Sequence, residues 1–321
     1  MTASADADPR PTSIGRAIAS MATAIFLFSL MNATIKSLGD TYPVNQIIFF
    51  RAFFALVVLW PMIARAGGIA SLKTARPLGH AWRSLSGATA MACGFTAITL
   101  LPLANAAALT FTAPLFVTLL GVLLLRERVR WRRTLAIIVG FCGVLVMLSP
   151  DLTQGGLTAP GTAGDGLALG AVLALLSAFF GAMAMIGIRR LSTTEKNSTI
   201  VFWFMTTAAV ISGAMLPVNF VMPVSWTDLA LLVAIGLVGG IAQMLLTNAY
   251  RQAPVAVVAP FDYTAMIWAT VWGFALWGEV PDLWVVGGAL IVIASGAYIT
   301  VREMKLGVQK PPPIKLRGEM P

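Results

Sequence analysis

Leu125-Arg126-Glu127-Arg128-Val129-Arg130-Trp131-Arg132-Arg133 and Trp277-Gly278-Glu279-Val280-Pro281-Asp282-Leu283 decide the fold between them. Each stretch follows one apolar run and precedes another. The first is crowded with arginine and the second has no basic residue at all. In a membrane protein such a contrast reports sidedness, because Lys and Arg collect in cytoplasmic loops and avoid the opposite ones.

Working outward, the chain divides into ten apolar runs of membrane-spanning length, roughly 17–25 residues each. The first five are Ala17 to Ile35, Val44 to Ile63, Ser84 to Leu101, Ala104 to Leu125 and Thr134 to Leu148. The second five are Gly166 to Ile188, Ser198 to Val218, Leu229 to Ala249, Pro254 to Trp277 and Leu283 to Val301. Composition agrees: 58% of the 321 residues are apolar and 11% charged, against about 25% charged in soluble domains. The run after Arg16 is too long for a cleaved secretory signal and reads as a first span.

Every Lys and Arg except Lys36 and Arg51 falls on one side of this division, including Arg83 just before the third span. That predicts ten helices with both termini cytoplasmic. Trp60, Trp82, Trp131, Trp226, Trp277 and Trp284 lie near expected interfaces, where indoles anchor. The formal charge of +9 is scattered over short loops, so it marks topology rather than a nucleic-acid surface. Cys93 and Cys142 each sit inside an apolar run and are expected to be inert core thiols.

A shift of 152 positions lays the second half over the first. Pro102 meets Pro254, Phe111-Thr112 meets Tyr263-Thr264, and Glu127-Arg128-Val129 meets Glu279-Val280-Pro281. Five spans is an odd number, so the second copy runs through the membrane in the opposite sense, and the two opening stretches face opposite sides. The expected fold class is therefore an all-α integral membrane protein, ten transmembrane helices as two inverted five-helix repeats. Residues 1–15 read as a disordered cytoplasmic tail, 16–150 and 165–302 as the repeats, and 303–321 as a basic, Pro-rich cytoplasmic tail. Inverted repeats recur in secondary transporters, whose site lies near the midplane between the halves.

Two charges lie deep inside spans, Arg51 and Asp262. Each costs about 2.5–3.5 kcal/mol at a bilayer centre unless it meets a partner or a wet cavity. At about 1.5 Å per residue their depths differ by under about 10 Å, so they can bracket one central site. Asp262 is the candidate for a coupling proton or a cationic substrate group, and Arg51 for an anionic group or for bracing the bundle. Asn32, Asn248 and Tyr263 offer neutral hydrogen-bonding groups. Trp268 and Trp272, four residues apart, share a helical face and can stack on a flat substrate or simply pack. Lys36 is expected to snorkel, and Glu279 to anchor locally. Gly166/Gly170 and Gly236/Gly240 fit close helix approach.

The sequence resembles the EamA-type branch of the drug/metabolite transporter superfamily over roughly residues 15 to 302, through Pro102 to Val129 and Ala253 to Pro281. That resemblance implies transport of a small organic metabolite such as an amino acid, a vitamin like riboflavin, or S-adenosylmethionine. The segment Asn32 to Leu56 somewhat resembles the vitamin and nucleoside importers. It also implies a bacterial inner-membrane location. The expected partners are the substrate and the lipid bilayer, with no cofactor, metal or nucleic acid and with a homodimer left open. The rival readings are an intramembrane enzyme and a membrane scaffold. The first would need a catalytic constellation, but the single histidine, His80, falls in an expected loop, with no HExxH motif. The second would need a sizeable domain outside the membrane.

Overall fold

The computed structural model describes residues 11–65, 68–125, 131–153, 163–192, 194–252 and 259–305, and all of their regular structure is helical. The arginine-rich turn at 126–130, Pro254 and most of both tails lie outside the described residues. The first half supplies α1 (Pro11–Gly39), α2 (Val44–Arg65), α3 (Pro77–Leu100), α4 (Leu103–Thr110), α5 (Ala113–Leu125) and α6 (Trp131–Thr153). The second supplies α7 (Ala163–Leu191), α8 (Asn197–Asn219), α9 (Trp226–Gln252), α10 (Thr264–Trp277) and α11 (Leu283–Lys305).

Among the described residues six stretches are long and apolar enough to cross a bilayer, rather than the expected ten: Gly15–Gly39, Val44–Arg65, Leu103–Gly121, Gly166–Ile188, Ser198–Asn219 and Trp226–Ala249. The shortfall has physical causes. Thr134–Ser149 and Leu283–Ile299 are apolar but short. Helix α3 is long enough but opens on His80, Arg83 and Ser84, which are buried by protein rather than facing lipid. Helix α10 has only 14 residues because a 3-10 turn, Ala259–Tyr263, precedes it.

The fourth span, expected to be continuous, is broken into α4 and α5 at Phe111-Thr112. Pro114 cannot donate a backbone hydrogen bond. The chain tightens just before it, Phe111 N–H donating to Ala108 O at 3.2 Å and Thr112 N–H to Leu109 O at 3.1 Å. The matching place in the second half, Tyr263-Thr264, is where the 3-10 turn gives way to α10.

Bare backbone sets the helix packing. A Cβ on Gly143 would lie 2.9 Å from the Gly288 carbonyl oxygen, and one on Gly288 would lie 2.5 Å from that of Gly143, so α6 and α11 touch backbone to backbone. Gly236 and Gly240 let α9 close onto Phe54 and Ala55 of α2, and Gly170 lets α7 close onto Leu101. Gly166 meets nothing, so the expected Gly166/Gly170 approach holds only at its second member. Helix α3 runs along α7 and α1 along α9, while α2 pairs with α8 and α6 with α11.

Two apolar cores result. Ile47, Leu59, Met91, Phe95, Met205 and Leu232 centre one, and Leu109, Leu115, Val144, Ala174 and Val292 the other. Leu135, Ile138, Val139, Cys142 and Leu145 form an exposed stripe at helical spacing on α6, suited to lipid. Cys142 is thus an exposed thiol and not the core thiol expected. The six interface tryptophans are all exposed.

Candidate functional site

A cavity of about 220 Å³ opens between α1, α3, α4, α7 and α10. Its walls are apolar except for Ser29, Asn32, Thr110 and Ser177. Alanines and Gly94 keep the space open by having almost nothing to fill it with. Ser177 spans the α3–α7 seam, its hydroxyl donating to Ala90 O at 2.8 Å. Ser29 accepts the indole N–H of Trp272 at 3.2 Å.

Arg51 stands behind one wall of this cavity. Its guanidinium lies 5.8 Å from the ring of Phe95, which lines the space. One N–H reaches Met205 Sδ at 3.5 Å, a weak acceptor. The preceding residue of α8, Phe204, lies under a second guanidinium, Arg83, at 4.3 Å. Only 7% of Arg51 and 8% of Arg83 is exposed, and the two charges repel each other through space. Arg83 Nη1 is packed against Gly87, where a Cβ would lie 2.3 Å away.

Arg83 is the functional candidate that sequence reading missed, having been counted among the topology charges. Helix α3 begins at Pro77, a full two turns before its apolar run. The signal available was Gly87 one turn on, which leaves room for a long side chain. His80, expected in a loop, is likewise in α3 and 3% exposed, its Nε2 lying 3.9 Å from Glu195 Oε1.

The other candidates scatter around the cavity. Asn32 lines it. Asp262 is half-buried in the 3-10 turn, beside Phe261, which packs with Met21 and Ile25 of α1. Tyr263 meets Phe111 edge to face. Trp268 and Trp272 both pack against Phe26 of α1, at 4.9 and 6.1 Å between ring centroids. Asn248 is exposed and lies outside the lining of this cavity. Among the described residues no cluster of His, Cys, Asp or Glu is able to hold a metal ion.

Polar latches close both ends of the bundle. At one end Lys36 pairs with Glu279 and donates to Leu101 O at 2.7 Å, while Glu279 accepts the Leu103 N–H at 3.0 Å. Lys36 therefore does not snorkel, and Glu279 ties distant segments instead of anchoring its own. Gly278 makes this possible: its left-handed backbone, φ 68°, caps α10 and turns Glu279 back over it. Nearby, Tyr42 donates to Asp228 at 2.7 Å, and the Gln46 amide bonds both N–H and C=O of Val221. At the other end Thr74 donates to Glu195 at 2.6 Å, and the Trp203 indole donates to Leu72 O at 3.1 Å.

Comparison with known proteins accounts for this architecture. Residues 15–149 and 168–301 each match the model of the EamA-like transporter family. The chain is 33% identical over 272 residues to the pseudopaline exporter CntI of Pseudomonas aeruginosa, covering 84% of this chain and 91% of that one. It is 28% identical over 285 residues to the S-adenosylmethionine uptake transporter of Rickettsia prowazekii, covering 87% and 92%. It is also 28% identical over 288 residues to the riboflavin transporter of Rhizobium johnstonii, covering 89% and 91%. A solved crystal structure 22% identical to it superposes with a TM-score of 0.59 over 90% of this chain and 98% of that one, a likeness of fold. These relatives are transport proteins and not enzymes, and the chain belongs to the EamA-like transporter family.

Proposed function

We propose that the chain is a secondary active transporter that moves a small organic metabolite across the bacterial inner membrane by alternating access between two inverted five-helix halves. The reading includes ten membrane crossings and cytoplasmic termini. The short helices α6, α10 and α11 complete crossings with their flanking segments, and α3 crosses with His80, Arg83 and Ser84 turned into the protein.

One observation carries this reading. Contacts recur with the halves exchanged: Gly143 lies against Gly288, and Ser295, the counterpart of Gly143, donates its hydroxyl to the carbonyl of Ala136, the counterpart of Gly288. The long α3–α7 seam is matched by the α1–α9 seam in the same way. Such exchange is what a pseudo-two-fold axis in the membrane plane produces. The cavity is smaller than the ~300–1,000 Å³ of ordinary ligand pockets, as in a state contracted between two open ones, and latches at both ends suit a gate on each side.

In this cycle Asp262 takes a coupling proton or a cationic substrate group. Arg51 meets an anionic group through the Phe95 wall, and Asn32 and Tyr263 supply neutral contacts. The relatives, named for pseudopaline, S-adenosylmethionine and riboflavin, point to small organic metabolites. Flux into proteoliposomes tests the reading. Substrate-specific flux that falls at least about tenfold in Asp262→Asn and Arg51→Gln supports it, by the usual weight of a hydrogen bond to a charged group. Full activity in both variants removes the assignment of these residues.

A further inference from the structure

We propose that Arg51 and Arg83 form one buried anion site that takes the carboxylate of an amphipathic organic acid, whose apolar body lies in the cavity beyond Phe95. The inference deepens the transport reading and rests on it for the acid's being cargo.

Two guanidinium groups arrive from α2 and α3 at adjacent residues of α8, Met205 and Phe204. Both arginines are more than nine-tenths buried. Arg51 Nε, Arg83 Nε and Arg83 Nη1 are buried with no hydrogen-bond partner. The Phe95 and Phe204 rings and the Met205 thioether that they lie against offer no oxygen. The described carboxylates at the ends of the bundle are already engaged, Glu279 by Lys36, Asp228 by Tyr42 and Glu195 by Thr74. A buried cation without a counter-ion is costly, and two that repel each other are more so. An arriving anion relieves both costs at once. The planar fork of a guanidinium matches the two oxygens of a carboxylate. Beyond Phe95 the cavity wall is mostly apolar, with Met91 and Ile98, and carries Ser29, Asn32, Thr110 and Ser177 as its polar groups, so the rest of the acid is a largely hydrocarbon or aromatic body of modest size.

The test is thermal unfolding of the purified full chain in detergent with phenylacetate, its neutral amide phenylacetamide, or inorganic phosphate, at constant ionic strength. Phenylacetate is expected to raise the Tm, the amide to leave it unchanged, and phosphate to do less than phenylacetate. Arg51→Lys or Arg83→Lys keeps the charge but loses the fork, weakening phenylacetate by at least about tenfold. Arg51→Met or Arg83→Met abolishes its effect and raises the Tm of the ligand-free protein, because a stranded charge is gone. Equal shifts from acid and amide overturn the proposal, as does a phosphate shift as large as that of phenylacetate. A ligand-free Tm that falls in both Met variants also overturns it, since that result marks cations already paired. Acid binding without flux in proteoliposomes keeps the site and removes the transport reading. Flux of a neutral solute, undiminished in both Met variants, removes the site and keeps transport.

Discussion

Phe111 and Tyr263, counterparts in the two halves, meet edge to face with ring centroids 5.3 Å apart and planes at 70°. Each sits at the break in its own span. Edge-to-face aromatic pairs contribute about 0.5–1.5 kcal/mol beyond burial. A double-mutant cycle with Phe111→Ala and Tyr263→Ala, read by unfolding in detergent, is expected to return a coupling of that size. Additivity of the two would show that the rings are independent.

The α6–α11 seam gives a sharper contrast. In Gly288→Ala the new methyl meets the Gly143 oxygen at 2.5 Å and the Met147 nitrogen at 2.8 Å, both backbone. The helices must part, at a cost of about 1–3 kcal/mol. Its neighbour Gly287 has nothing within 4 Å, so Gly287→Ala is expected to be neutral or to stabilise by up to about 1 kcal/mol through helix propensity. Equal melting temperatures for the two variants would refute the seam.

Sidedness has its own test. With Cys93 and Cys142 replaced by serine, single cysteines at Trp131 and Val280 should react with an impermeant maleimide from opposite faces of an oriented membrane. Labelling of both from one face removes the inverted arrangement.

The Lys36–Glu279 pair is largely buried, the side chains 11% and 21% exposed. Glu279→Gln leaves the ammonium without its counter-ion and is expected to destabilise by about 2 kcal/mol. The double variant Lys36→Met/Glu279→Met should cost less than the sum of the singles, since neither partner is stranded. Strict additivity in chemical unfolding would show that the pair contributes nothing as a pair.

Gly87→Ala links fold to site. Its methyl falls 2.3 Å from Arg83 Nη1 and 2.8 Å from the Phe204 ring. The flexible arginine gives way, so the expected phenotype is weaker anion binding with near-normal folding. Unchanged binding alongside an intact fold would separate Arg83 from the site.

Apolar run length located most of the helices. Helix α2 begins at Val44, as expected, and α11 at Leu283. What it could not locate was helix sheltered by protein, because the first two turns of α3 carry polar side chains whose burial depends on α7 and α8. Hence His80 and Arg83 were read as loop residues. The break at Phe111-Thr112 was equally hidden: Pro114 marks a weak point, but the tightened backbone bonds around it are local geometry. Lys36 and Glu279 are 243 residues apart, and only the packed bundle brings them together. Of the candidate site, Arg51 was legible because a charge inside an apolar run needs an explanation. Which way Asn248 faces was not legible, since an amide alone does not say which way its helix is turned.

The contact of Gly143 with Gly288 has a mechanical consequence. Two bare backbones in touch have no rotamers to exchange and no side chain to lengthen or shorten, so that point is a fulcrum. The rocking proposed above would then be taken up elsewhere, at the tightened backbone of Phe111-Thr112 and at the 3-10 turn Ala259–Tyr263.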